Sequence, residues 1–320
     1  MNPTQTAERA AGLHEPHWLN RSAFQIVIAL FFCTEFALAA VLQGGASLWF
    51  AVPLVLITSH FIHGGAVGFH EATHGLLRRN RLLNEFDGVL LGTFNFMSFS
   101  LYRAAHQLHH MHLATERDEE LWPFVQPEAP RWTRILAAFL ELTGGLVFLP
   151  LLFLRIFLRT GSPIRSKKVR RRIWAELMLM FVVWIGIVSA VAYWHAWRYF
   201  LWMYVLPAFL AGNLQSWRKY IEHVGMTGNT VNSSTRSIVA QDWRGRLVAF
   251  TLLHEPYHGV HHLHMGLSHA ELPQRASELA PQTADEIHPF PSYRHALLHL
   301  LRSLANPRVG AQWHTTSQRP

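Results

Sequence analysis

Apolar and polar positions alternate along this chain in long blocks rather than with the short periods of a soluble helix or strand. Residues 23–42 supply about the 20 apolar positions that a membrane-spanning helix needs, interrupted only by Gln25, Thr34 and Glu35. An uncharged turn at 43–47 follows, and residues 48–69 read as a second span running back. Residues 86–99 are apolar but contain Asp87, Gly88, Gly92 and Asn95; a stretch of about 14 positions is too short to cross and predicts an interfacial or re-entrant helix. Residues 173–193 and 199–217 read as a third and a fourth span, joined by a Trp-rich turn. Residues 135–154 have the length of a span, yet they hold Glu141, Gly144, Gly145 and Pro150 between Arg131, Arg134, Arg155 and Arg159. They are expected on or partly in the interface. The fold expected is all-α and integral to the membrane, with four transmembrane helices, interfacial helices and a histidine-bearing cytosolic cap.

Composition agrees with that pattern. Half of the 320 residues are hydrophobic and 15% are charged, against roughly 25% charged in a soluble domain. The formal charge of +8 raises the question of nucleic acid, and the run 165–172 looks like a basic patch. Placed directly before an apolar helix, it is more simply a positive-inside anchor, and no nucleic-acid partner is expected. Both far-side turns are short, and nearly all Arg and Lys sit with the termini, which puts both termini on the cytoplasmic side. The single cysteine, Cys33, excludes disulfides and thiolate clusters within one chain. Residues 1–21 are polar, carry Arg9 and Arg21, and show no apolar core with a small-residue cleavage site, so no removable signal peptide is expected. The chain reads as one domain over 1–320, with a core at about 22–275, a polar tail at 1–21 and a soluble tail at 276–320.

The candidate chemistry is histidine. His70 and His74 form an HxxxH box; His106, His109 and His110 form an HxxHH box, and His258, His261 and His262 form another. Residues at i, i+3 and i+4 share a helix face, so each box presents its imidazoles in one direction. Eight imidazoles exceed what one tetrahedral or octahedral ion holds, which points to a dinuclear site. Such a site requires the boxes to emerge on one side of the bilayer, and a lone crossing at 135–154 would separate them. Asp118 and its acidic neighbours at 115–120 either orient these imidazoles or form a solvated face. Glu35 is either a paired or protonated carboxyl or a catalytic one, and His63 either supports the box or is an ordinary bundle histidine. His70-Glu71-Ala72-Thr73-His74 also fits HExxH, the zinc metalloprotease motif, although that reading leaves six box histidines without a role. A histidine-rich metal transporter would want more polar residues inside the spans than Glu35, His60 and His63.

The three boxes, their order, their placement relative to the apolar segments, and the continuation to Leu272-Pro273 closely resemble the membrane fatty acid desaturase and hydroxylase superfamily over 48–273. The resemblance implies two iron ions, activation of O2 and oxidation of an unactivated C–H bond in a lipid or hydrocarbon. It implies His70, His74, His106, His109, His110, His258, His261 and His262 as iron ligands, with His223, just after the fourth span, as the ninth. Lys219 stands where acyl-CoA desaturases often have Asn, and Tyr220-Ile221-Glu222-His223 looks more like alkane hydroxylases. Desaturation and hydroxylation both remain open, with desaturation preferred. Two electrons must come from elsewhere, because the chain has no dinucleotide-binding glycine fingerprint and no cysteine set for an iron–sulfur cluster. A separate ferredoxin or haem-protein donor with its reductase is therefore expected.

Overall fold

The computed structural model describes residues 14–45 and 47–315. Among them, regular structure is helical apart from one isolated parallel bridge between Ile238 and Phe290. The longer helices are α1 (Ala23–Gln43), α2 (Ala51–His74), α3 (Arg81–Phe94), α4 (Phe99–Met111), α5 (Arg131–Leu158), α6 (Lys167–Tyr193), α7 (Leu206–His223), α8 (Trp243–Thr251), α9 (His258–Leu263) and α10 (Tyr293–Leu301). α7 is entered through Trp197–Phe200 and a π-helical segment, Leu201–Val205.

α1 and α2 pack as an antiparallel hairpin, and α2 also packs on α7. α2 stops at His74 because Gly75 adopts φ 77°, ψ 19°, a left-handed cap open to glycine without a Cβ penalty. The first box therefore occupies the last turns of a long apolar helix. The stretch 86–99, for which one interfacial or re-entrant helix is expected, is divided between α3 and the start of α4, with a break between Phe94 and Phe99. The C-terminal carbonyls of α3 have no helical partner, and inside an apolar layer each must find one. Trp184 Nε1 donates to Thr93 O at 3.0 Å, the Tyr204 hydroxyl to Phe94 O at 2.7 Å, and Asn95 Nδ2 to Leu91 O at 2.7 Å. α4, which carries the second box, is held at its start by Glu176 of α6. That carboxylate accepts from the Ser98 hydroxyl at 2.7 Å and from the Ser100 N–H at 2.8 Å, where the helix dipole favours negative charge.

Four helices are long and apolar enough to cross a membrane: Ala23–Gln43, Leu48–His74, Arg131–Leu158 and Lys167–Tyr193. The count is the one expected, but α5 is among them and the run 199–217 is not. The run leading into α7 is helical from Trp197 to His223, but its last turns carry Arg218, Lys219 and Glu222 and dilute its apolar character. Because the second and third boxes share one cluster, the number of crossings between them must be even. By length and composition, α5 and α6 are two candidates between them. α5 breaks at Gly144, with φ −133° and ψ 35°, and contains Pro150. Its first end is tied to the tail by Arg131 Nε to Ala305 O and Arg134 Nε to Pro307 O, both 2.9 Å. Its last end meets the segment after the second box, through Arg155 to Glu119 at 3.2 Å and Arg155 over the Trp122 ring at 3.9 Å. Tail and segment are themselves joined, with Val309 N donating to Phe124 O at 3.0 Å. Both ends of α5 thus touch segments that are joined to each other, while its length and composition are those of a span, where the sequence predicts an interfacial placement for 135–154.

The break in α5 has a specific partner. The Gly145 N–H, freed by the kink, donates to Asn213 Oδ1 at 2.9 Å. The two helices cross so closely there that a Cβ on Gly145 would lie 2.3 Å from Gly212 O. One core cluster joins Phe24, Phe69, Phe99, Tyr102, Phe153 and Leu253 beneath the boxes, and a second joins Phe124, Ala137, Tyr220 and the tail helix α10 through Ala296 and Leu300.

Candidate metal centre

The nine histidines singled out in the sequence all arrive at one place. His70, His74, His106, His110 and His261 offer one nitrogen each within 4.8 Å of one another; His109, His223 and His262 do the same, as do His223 and His258 with Glu222. The two sets abut, with the His110 and His262 ring centroids 4.4 Å apart. α2, α4 and α9 each deliver a box from one helical face, and His223 comes from the last residue of α7.

Within each set the nitrogens approach edge to edge. His70 Nε2 and His106 Nε2 are 2.7 Å apart, His106 and His110 3.0 Å, and His110 and His261 3.1 Å. In the other set His223 Nε2 and His258 Nε2 are 2.9 Å apart, and His258 and His262 3.0 Å. The far nitrogens face carboxylates. His106 Nδ1 lies 3.0 Å from Glu120, His109 Nδ1 2.9 Å from Asp118, and His258 Nδ1 3.1 Å from Glu255. A carboxylate accepts, so these Nδ1 atoms carry a proton, which in a neutral ring such as His106 or His258 leaves Nε2 as a bare lone pair. Rings that each turned a bare Nε2 inward would need a cation between them, and a spacing of about 3 Å is the edge of a coordination polyhedron with bonds of about 2.1 Å. The residues present fit metal ions, and an all-imidazole donor set without thiolate suits iron, zinc or copper.

Electrostatics point the same way. Burial, followed by the neighbouring imidazoles, holds His106 and His262 well below the usual histidine range, and His261 is lowered by burial and His70. Burial lowers His258 to about 4 against the opposing pull of Glu255. His109 goes the other way, to about 9, because the Asp118 and Glu120 carboxylates outweigh its burial. Most of the set is thus neutral and ready to ligate, as imidazole must be.

Glu255 links the two sets. One of its oxygens meets His258 Nδ1, and the other lies 3.4 Å from His70 Nδ1. Arg218 anchors it, donating to Glu255 at 2.7 Å and to Glu222 at 2.9 Å, with all three side chains buried. Lys219 forms an ion pair with Glu141 of α5, and the Tyr220 hydroxyl donates to the same carboxylate at 3.0 Å.

The fatty acid desaturase family model matches residues 47–294, which is most of the chain. The chain belongs to the fatty acid desaturase family. Membership makes it an oxidoreductase of the membrane, with four apolar helices to hold it there, and implies an iron cofactor. A comparison with curated proteins finds no match.

Seen as a desaturase-family site, the remaining candidates sort themselves. Asp118 and Glu120 are buried against histidines, whereas Glu119 turns to Arg155 and Arg159. Glu71, which would be the general base of a zinc protease, accepts from the His269 N–H at 3.2 Å and faces His269 Nδ1 at 3.4 Å, fastening the first box to the loop after the third. His60 pairs with Thr251 at 2.7 Å as a bundle histidine, His63 is buried outside both sets, and Glu35 keeps a buried oxygen without a partner. Glu255 and Arg218 were not identifiable as site residues. The one signal was Glu255 lying three residues before His258, a spacing that is common by chance.

Proposed function

We propose that this chain uses two irons and O2 to oxidise a hydrocarbon chain of a lipid, with desaturation as the first reading. The observation that carries the proposal is the convergence of nine imidazoles in two abutting sets. His70, His74, His106, His110 and His261 would hold one iron, and His109, His223, His258 and His262 the other. The chemistry the metals supply when bound is dioxygen reduction coupled to removal of hydrogen from an unactivated C–H bond. For desaturation, one O2, two electrons and two protons convert –CH2–CH2– into –CH=CH– and two waters.

The chain's own part is positioning and exclusion of water. Glu120, Asp118 and Glu255 fix the tautomer and the ring orientation of their histidines. Phe69, Tyr102 and Phe153 line a cavity that reaches His70, His106 and His258 and keep it apolar. The two electrons would come from a ferredoxin or a haem protein with its reductase, docking on the cytoplasmic face, where Arg165, Lys167, Lys168 and Arg171 are exposed. Hydroxylation, taking one oxygen atom into the product, is the second reading, and the Tyr220-Ile221-Glu222-His223 run favours it.

The test is the purified chain in liposomes with a reductase, a donor and oxygen. A product with two hydrogens fewer supports desaturation, and one with an added oxygen supports hydroxylation. Donor-independent turnover would refute the electron-transfer half, and peptide cleavage with no oxygen-dependent product would refute the whole.

A further inference from the structure

His223 is the one candidate ligand outside the three boxes, and it stands at the very end of α7. His106, His109 and His258 each have a carboxylate behind the ring. Among the described residues no carboxylate is hydrogen-bonded to His223, so its ring is aimed by the backbone that carries it. That backbone is a helix C-terminus, where the last carbonyls lack partners within the helix and the final turn frays unless something holds it. Here every carbonyl from Tyr220 to Val224 has a donor. Val224 N–H donates to Tyr220 O at 3.0 Å, and Met226 N–H to His223 O at 3.1 Å. The other three are taken by one residue in the loop between α7 and α8. Arg236 donates its N–H to Glu222 O at 2.7 Å, and its Nη1 to Ile221 O at 2.9 Å and to Val224 O at 2.6 Å.

The Arg236 side chain is buried, and it meets the negative end of the helix macrodipole. Burial lowers its guanidinium to about 10, so it stays charged at neutral pH. A left-handed glycine or asparagine closes many helices without a buried charge, whereas a buried cation is costly to desolvate. What the guanidinium adds is a rigid planar fork that joins carbonyls on both sides of His223 to a second element. That element is α10: Arg236 Nε donates to His299 Nδ1 at 2.8 Å, which leaves the His299 proton on Nε2. The tail grips the same turn again, with Gly225 N–H donating to Arg308 O at 2.8 Å and Gly310 N–H to Met226 O at 2.9 Å. Gly225 has φ 88°, and a Cβ there would fall 2.1 Å from Ser303 Oγ, so turn and tail meet with no room for a side chain.

We infer that Arg236 is the positioning residue of His223, and that His299 in the C-terminal tail sets Arg236 in turn. This rests on the two-iron reading of the site with His223 as a ligand, and adds to it what aims the ligand that no box carries. It also gives the tail a part in holding one of the two ions, the one shared by His109, His223, His258 and His262.

The test is the iron retained by the full, iron-loaded chain in detergent across a series of chelator concentrations, with Mössbauer spectra reading the two ions separately. His299 is half-buried, so His299→Ala disturbs the fold least. It is expected to release the ion of the His223 set at about tenfold lower chelator, the cost of losing an outer partner, with the other ion retained as before. Arg236→Met should release that ion more readily still. His299→Gln, whose amide oxygen can accept from the guanidinium, should restore retention. In a His223→Ala background neither His299→Ala nor Arg236→Met should change retention further, because residues that act through one group are not additive. Equal loosening of both ions, retention unchanged in His299→Ala and Arg236→Met, or a tenfold effect that persists in His223→Ala would overturn the inference while leaving the ligand set intact. Retention unaffected by His223→Ala alone would overturn the ligand reading of His223, and the inference with it.

Discussion

Glu255 is the residue on which the two histidine sets depend together, since it meets His258 of one and His70 of the other while Arg218 holds it. Glu255→Gln keeps the shape and removes the charge. It is expected to lower metal affinity by 10–100-fold, the usual cost of losing such a partner, measured as metal retained after dialysis against a chelator. Replacing a ligand should cost more selectively: His110→Ala and His262→Ala come from different sets, and each is expected to abolish turnover and reduce iron content by about half. Acid should destabilise the metal-free protein. Burial lowers His254 and His258 to about 4, so in the folded state both stay neutral where the unfolded chain takes up protons near its ordinary value of 6.5. The stability they contribute is complete above about 6.5 and is lost as pH falls towards 4. The melting temperature of metal-stripped protein in detergent should drop as pH falls across that window, and because His109 is raised to about 9 it should also decline as pH rises from about 6.5 towards 9. At this scale the nine histidines were legible, because i, i+3 and i+4 spacing states which imidazoles share a face. The carboxylates behind them were half legible. Asp118 and Glu120 lie near their box in sequence, but their separation from Glu119 depends on which side of a single 3-10 turn each faces, and Arg218 meets Glu255 only through the tertiary fold.

Among elements, α5 is the informative one. Its length and hydropathy are those of a span, yet Gly144 breaks it, Pro150 follows, and arginines at its two ends reach the tail and the segment after the second box. The sequence displays Glu141 as an anomaly in an apolar run. The structure makes it the partner of Lys219 and Tyr220, locking α5 to the helix that delivers His223. The crossing at Gly145 and Gly212 could not be read, since a glycine pair separated by 67 positions announces no contact. Gly145→Val would drive its side chain into the Gly212 carbonyl, and a loss of about 1–3 kcal/mol is expected from overpacking. Asn213→Ala would leave the Gly145 N–H unpaired at a similar cost of about 1–3 kcal/mol. Thermal unfolding of the two variants in detergent checks both values, and a neutral Gly145→Val would mean that α5 and α7 do not cross there.

For the whole molecule, the constraint is that three boxes separated by apolar helices share one site. Their convergence requires an even number of crossings between the second and third boxes, and the basic runs predict that the boxes face the cytoplasm. In a Cys33→Ala background, Gly45→Cys and Ala196→Cys should react with an impermeant thiol reagent from outside the cell, and Gly161→Cys should not. Labelling of Gly161→Cys from outside would make α5 a crossing and contradict the interfacial placement expected for it. The helical bundle and the meeting of the boxes were readable from hydropathy and box order; the cavity beside them was not, because its lining comes from α2, α4, α5 and α7 together. The most direct test of the central claim is elemental analysis of purified chain that shows donor-dependent, oxygen-dependent turnover. Close to two irons per chain with little zinc is the expected result, and one zinc with no iron in active protein would contradict it.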